Sequence, residues 1–312
     1  MKTSRLRAFS FTGDEMAEWD AERVVTPELA LELVRAQFPG LGRTIEPFGY
    51  GWDNTAFLVD GDVVFRFPRR AVAVPLIELE ARVLPRLAPR LPLPIPCPAW
   101  LGEPTEHFPW PFAGYRLLPG RLAFGLSDDE RRAAVAPLAG YLRALHAIPT
   151  HGLGLPGDEW ARTDFVRRMP ELARRLRGLE SAGVIDDARP WLRLYEDIDV
   201  PEPHVRTTLV HGDLATRHVL VDDARRVCGV IDWGDVHEGD PAVDLAILFE
   251  FVPARYRDEF LRVYGEVDAR TLRTARLRAA FVSATSTAYA HSVGDDWFVP
   301  IGLTSMKLVL ED

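Results

Sequence analysis

A chain of 312 residues with 47% hydrophobic content is long enough for two ordinary domains or one two-lobed one, and it is too apolar to default to disorder. Its formal charge of −9 argues against nucleic acid or an anionic membrane surface as the main partner, since both need a basic footprint, and it suits a cationic small molecule. No apolar run reaches the ~18–20 residues of a membrane span, and Met1–Asp20 lacks an apolar stretch of signal-peptide length, so a soluble cytoplasmic protein is expected.

Two positions of chemistry are sparse. Cys97 and Cys228 have neither CxxC spacing nor a paired framework, and Cys228, inside an apolar run, is expected to be a buried reduced thiol. Lysine occurs only as Lys2 and Lys307, so internal cationic tasks fall to arginine.

Thr26-Pro27-Glu28 predicts a helix with a threonine N-cap and a first-turn proline, running to about Phe38 and closed by Pro39-Gly40. The stretches 45–48, 55–59 and 63–67 are short, β-branched or aromatic, and read as an antiparallel meander with a hairpin turn at Asp60-Gly61. Apolar residues at Leu76, Leu79, Val83, Leu84 and Leu87 predict a helix. LPLPIPCP, Leu91 to Pro98, forbids a helix interior and reads as an extended connection. Strand character resumes at 100–102 and 112–118, and the lobe boundary is placed there, giving an N-terminal lobe of residues 1–118 and a C-terminal lobe of residues 119–312.

Downstream, Ser127 and Glu130 form a capping box for a helix to about His146. Further helices are expected near 160–179, 256–265 and 272–290, interrupted by strand-like pieces at 207–210, 218–221 and 227–231. The piece LVHGDLATRHVLV, from Leu209 to Val221, reads as a buried hairpin with a chargeable centre. The order of elements is α+β: a bilobal protein-kinase-like fold, with an antiparallel sheet lobe bearing one main helix and a larger, mostly helical lobe.

Phosphoryl transfer requires held phosphates, a placed divalent metal and a carboxylate aligning the acceptor hydroxyl. Gly49, Gly51 and Asn54 lie in a turn between the first two strands, where backbone N–H groups can meet phosphate; taken alone, the motif is better explained as an ordinary hairpin turn. Arg66, in VVFRFPRR, stands where kinases put the phosphate-pairing lysine, and its guanidinium keeps the charge and forked donors. Glu80 on the following helix is its candidate partner. His211-Gly212-Asp213, His218 five residues past the aspartate, and Asp232 after the next strand pair reproduce kinase spacing for the hydroxyl-orienting carboxylate and two metal ligands.

These motifs, with FPWPFAGYRLLPG and GVIDWGDVHEGDPAVDLA, resemble the aminoglycoside phosphotransferase family of antibiotic kinases, which includes the macrolide 2′-phosphotransferases, from about Ile45 to Leu261. The resemblance implies that Asp213 is the catalytic base or hydroxyl-orienting residue and that Asp232 ligates Mg2+. It also implies that Tyr115, Arg116, Leu117 and Leu118 form the hinge reading the purine of ATP or GTP, and that Asp244 supports the catalytic loop. His218 stands where most kinases have asparagine, a swap shared with the aminoglycoside 2″- and macrolide phosphotransferases. A neutral imidazole can ligate a divalent ion, although Mg2+ prefers oxygen. His211 is expected to hold the loop by hydrogen bonds. Arg217 either steadies transition-state charge or forms a surface ion pair.

No lysine or arginine occurs from Val227 to Ala254, and Asp235, Glu238 and Asp240 are left as a candidate carboxylate lip. Such a lip would attract a polycationic aminoglycoside. A macrolide, or an endogenous sugar or amino alcohol, is the alternative acceptor; Tyr289, Trp297 and Phe298 could line an apolar site for it, though core packing is the more frequent use of such residues. A non-catalytic nucleotide-binding pseudokinase is the reading from another class; the absent lysine motivates it, and retention of Asp213 and Asp232 argues against it.

Overall fold

The computed structural model describes residues 21–51, 53–196 and 207–312. The N-terminal segment Met1–Asp20, read above, and Trp52, in the turn that holds Gly49, Gly51 and Asn54, lie outside the described residues.

The chain divides into two compact units, one formed by residues up to Ile77 with Trp100–Gly114, the other by Glu78–Ala99 with Tyr115–Asp312. In the first, Thr26 caps helix α1 (Pro27–Gln37) by accepting the Leu29 N–H at 3.3 Å. The meander follows as β1 (Ile45–Tyr50), β2 (Asn54–Val59) and β3 (Val63–Pro68), antiparallel, with Asp60 and Gly61 both at positive φ, 53° and 79°, as a tight hairpin turn requires. Helix α2 (Val74–Leu87), β4 (Pro98–Gly102) and β5 (Phe112–Arg116) complete this part of the chain, and the sheet runs β1-β2-β3-β5-β4. Its inward face is aromatic: Phe57, Phe65, Phe67, Phe108 and Phe112 are buried, with Phe67 and Phe112 stacked at 4.7 Å.

By its contacts, the chain passes between the two units more than once. It changes unit at 77/78 and 99/100 as well as at 114/115. The cause is visible in α2, whose buried Leu79, Val83, Leu84 and Leu87 join the core built by the C-terminal helices, not the phenylalanine cluster.

The second unit contains β6 (Arg121–Leu122), α3 (Asp128–His146), α4 (Phe165–Ser181) and α5 (Arg189–Arg193). There follow β7 (Thr208–Val210), β8 (Val219–Val221), β9 (Val227–Val230) and β10 (His237–Gly239), and then α6 (Ala242–Leu245), α7 (Ile247–Glu250), α8 (Arg257–Tyr264), α9 (Ala269–Ser292) and α10 (Val299–Leu310). The capping box of α3 forms in both directions, Glu130 N–H to Ser127 Oγ and Ser127 N–H to Glu130 Oε2. Helix α4 starts later than its apolar pattern suggests, because Ala161 is left-handed (φ 47°) and Asp164 takes the cap by accepting the Arg167 N–H.

LVHGDLATRHVLV is not one hairpin. Its first strand, β7, pairs with β10, whereas its second, β8, pairs with β6 and β9. The polar centre therefore spans two small sheets, and each end is tethered separately. Cys228, expected to be buried, is half-buried, a free thiol whose Sγ lies 3.3 Å from the Pro119 carbonyl. No described helix is long and apolar enough to cross a membrane.

Candidate active site

Strand β7 delivers His211, Gly212 and Asp213. The fully buried Asp244 on α6 holds this corner, Oδ2 accepting the His211 N–H at 2.7 Å and Oδ1 the Gly212 N–H at 3.0 Å. Burial favours the neutral acid there, but hydrogen bonding by His146 and the His211 N–H wins and holds the Asp244 pKa below the ordinary value. Gly212 adopts φ 88°, and a Cβ there would lie 2.1 Å from the Asp235 carbonyl oxygen, so only glycine fits.

His211 supports the loop as expected. Its Nε2 lies 3.1 Å from the Ile231 carbonyl and so carries the proton, which leaves Nδ1 to accept the Asp213 N–H at 3.3 Å. The Asp213 carbonyl accepts from His218 Nδ1 at 2.6 Å. Two imidazoles thus fix the backbone of Asp213 from both sides.

The Asp213 side chain is partly exposed, and Oδ2 accepts from Arg217 Nη2 at 2.6 Å. Burial would raise its pKa, yet the Arg217 guanidinium, with His218 and Arg278 adding to it, holds the carboxyl at about 2. It is an anion throughout the physiological range. Arg217 also donates through Nη1 to Ser286 Oγ on α9 at 2.8 Å and through Nε to His218 Nε2 at 3.1 Å.

Asp232, just past β9, is left-handed (φ 66°), a conformation short polar side chains tolerate. Its side chain is 50% exposed, and Oδ2 lies 3.4 Å from His218 Nε2. Burial, followed by Arg217, pushes the His218 pKa down to about 4, so the imidazole is neutral at pH 7 with its lone pair on Nε2. Mg2+ is commonly held by one or two carboxylates plus substrate phosphates. Asp232 fits that provision. His218 fits only if Arg217 Nε releases its lone pair. No cluster of three or more His, Cys, Asp or Glu arranged for a metal occurs among the described residues, so a cation here would draw its other ligands from phosphate and water.

The three carboxylates of the expected lip have local partners. Asp235 Oδ1 accepts from Arg162 at 2.5 Å, Glu238 Oε1 from the Thr207 hydroxyl at 2.9 Å, and Asp240 Oδ1 from the Ala242 N–H at 2.8 Å. Arg162 is itself buried and bridges Asp235 to Asp158. Trp297 is 63% exposed, its ring edge-on to Phe124 at 4.9 Å, and Phe298 lines a pocket with Thr216, Arg217, Glu250, Ser283 and Ser286.

In the second unit, Glu80 is fully buried on α2 and accepts the Tyr115 hydroxyl at 2.7 Å. Tyr115 is buried, Arg116 and Leu117 are exposed and Leu118 is half-buried, immediately after the change of unit at Gly114. In the first unit, β1 breaks register between Pro47 and Gly49, the Gly51 N–H donates to the Asn54 carbonyl, and nothing within 4 Å would obstruct a Cβ at Gly49 or Gly51. Asn54 is buried, its Oδ1 without a hydrogen-bond partner among the described residues, and Arg66 lies half-buried on β3.

A family model described as "Phosphotransferase enzyme family" matches residues 44–279. The chain belongs to this phosphotransferase family. Viomycin phosphotransferase of Streptomyces vinaceus is 34% identical over 109 residues, 34% of this chain and 38% of that relative, so the chain spans well under half of its length. The GDP and kanamycin complex of APH(2")-IIia has a TM-score of 0.67 at 24% identity, covering 90% of this chain and 97% of that one. The apoenzyme of macrolide 2'-phosphotransferase MphH from Brachybacterium faecium has a TM-score of 0.59 at 22% identity, covering 89% and 98%. At these identities the two structures establish the phosphotransferase fold.

The sequence spacing brings Asp213, His218 and Asp232 together with Arg217. Spacing did not single out Ser286, Glu250 or Arg162, whose partners lie 69, 34 and 73 residues away.

Proposed function

We propose that the protein transfers the γ-phosphoryl group of ATP or GTP, with Mg2+, to a hydroxyl of an aminoglycoside or related small antibiotic, in the cytoplasm. One observation carries the reading: the Asp213 carboxylate, held ionised at neutral pH, lies beside a neutral His218 whose other edge faces the exposed carboxylate of Asp232. Membership of the phosphotransferase family supports it, as does likeness in fold to proteins solved with GDP and kanamycin.

In this reading Asp213 orients the acceptor hydroxyl. A carboxyl with a pKa of about 2 is too weak a base to ionise an alcohol beforehand, so the hydroxyl proton passes to Asp213 late, as the new O–P bond acidifies the hydroxyl and the β–γ bridging P–O bond breaks to leave the nucleoside diphosphate. Mg2+, when bound, would be held by the exposed carboxylate of Asp232 and would supply charge neutralisation on the phosphates, while His218 Nε2 stays engaged by Arg217 Nε. Arg66, Glu80, the turn of Gly49, Gly51 and Asn54, and the 115–118 connection serve the nucleotide.

The test is Mg2+-dependent nucleotide consumption with viomycin and with panels of aminoglycosides and macrolides. Consumption stimulated by one class, and abolished by chelation, supports the proposal. No stimulation by any hydroxylated acceptor, together with nucleotide binding, would favour the pseudokinase reading.

A further inference from the structure

We propose that Arg217, anchored by Ser286 of α9, is a positioning residue that sets the Asp213 carboxylate for transfer. The inference rests on the phosphotransferase reading and deepens it.

An ion pair four residues apart is ordinarily a loose surface contact. This one differs in geometry. All three edges of the guanidinium are engaged: Nη2 by Asp213 Oδ2 at 2.6 Å, Nη1 by Ser286 Oγ at 2.8 Å and Nε by His218 Nε2 at 3.1 Å. A planar fork held at three points cannot rotate, so it fixes the carboxylate plane as well as its charge. The Asp213 backbone is already held by His211 and His218. With Oδ2 taken by Arg217, Oδ1 is the oxygen left to meet an acceptor hydroxyl, and it carries no hydrogen bond among the described residues.

Ser286 supplies what the loop cannot. It sits 69 residues along the chain on the long helix α9, and its hydroxyl ties the fork to a rigid element. Lysine at 217 would carry its three donors on a single nitrogen and lacks the planar fork that spreads them over three partners. Arg217 and Ser286 both line a pocket beside the site, and truncation of Arg217 to alanine leaves there the space that its guanidinium fills.

The test is steady-state kinetics of Arg217→Ala, Arg217→Lys, Ser286→Ala and Ser286→Thr, with guanidinium chloride added to Arg217→Ala below denaturing concentrations. Arg217→Ala is expected to lower kcat about 100-fold with the nucleotide KM unchanged, the cost of a misplaced catalytic group. Guanidinium restores part of that loss, and Arg217→Lys does not. Ser286→Ala lowers kcat about tenfold, the effect of one charged hydrogen bond, and Ser286→Thr recovers it. Ser286→Ala adds nothing in the Arg217→Ala background. Unchanged kcat, a loss confined to KM, or additive losses would overturn the proposal. Crystal structures of the two alanine variants give a readout independent of turnover. A reoriented Asp213 carboxylate supports the clamp even if the wild type phosphorylates no acceptor, which would count against the phosphotransferase reading alone; an unmoved carboxylate overturns the clamp.

Discussion

Asp244 holds Gly212 from a distance of 32 residues, one carboxylate oxygen on the Gly212 N–H at 3.0 Å and the other on the His211 N–H at 2.7 Å. Both donors belong to the turn that presents Asp213, and both are buried. Asp244→Asn replaces one acceptor oxygen with a donor facing an N–H. Breaking a buried charged contact of this kind costs about 3 kcal/mol. Urea unfolding of the variant should show that loss, and a loss below about 1 kcal/mol would remove Asp244 from the support of the loop.

Gly212 itself tolerates no side chain. Its φ of 88° and the Asp235 carbonyl, 2.1 Å from an added Cβ, make Gly212→Ala both strained and obstructed. The variant should lose more than about 3 kcal/mol of stability or fail to accumulate as folded protein. An unfolding midpoint equal to that of the wild type would show that the turn relaxes freely.

Glu250 gives the fold a pH dependence of calculable sign. Burial pushes its pKa from the ordinary 4.5 up to about 7, against the hydrogen bond from the Thr216 N–H. A carboxyl raised in the folded state binds its proton more tightly there. Its stabilising contribution is therefore complete below pH 4.5 and is lost as pH rises through 7, a change of about 3 kcal/mol. Glu250→Gln keeps an acceptor oxygen for Thr216 and removes the titration. Relative to the wild type, the variant should gain stability between pH 5 and pH 8. A difference independent of pH would contradict this.

Much of the molecule can be read along the chain because its signals are local. Thr26 and Ser127 announce their helices by caps, Asp60-Gly61 announces its turn, and the spacing of Asp213, His218 and Asp232 survives intact into three dimensions. What escaped is non-local. The separate pairing of β7 with β10 and β8 with β9 depends on a strand of three residues, His237–Gly239, too short to leave a period. Helix α10 is apolar on nearly every face and so shows no amphipathic stripe. The acidic run around Asp235 suggested an open lip only because its buried cation, Arg162, lies 73 residues upstream. Ser286 is one hydroxyl among several on α9, and nothing adjacent to it marks it as the partner of Arg217.

Asp213 is tested most directly by mass spectrometry of acceptor candidates incubated with Mg2+ and ATP or GTP, with wild-type protein and Asp213→Asn run side by side. The wild type is predicted to add one phosphoryl group to a hydroxyl of the acceptor, and Asp213→Asn to do so at least about 1,000-fold more slowly while remaining folded. A phosphorylated acceptor formed equally fast by both proteins would contradict the role assigned to Asp213, and no phosphorylated product from the wild type across the acceptor panels would contradict the transfer itself.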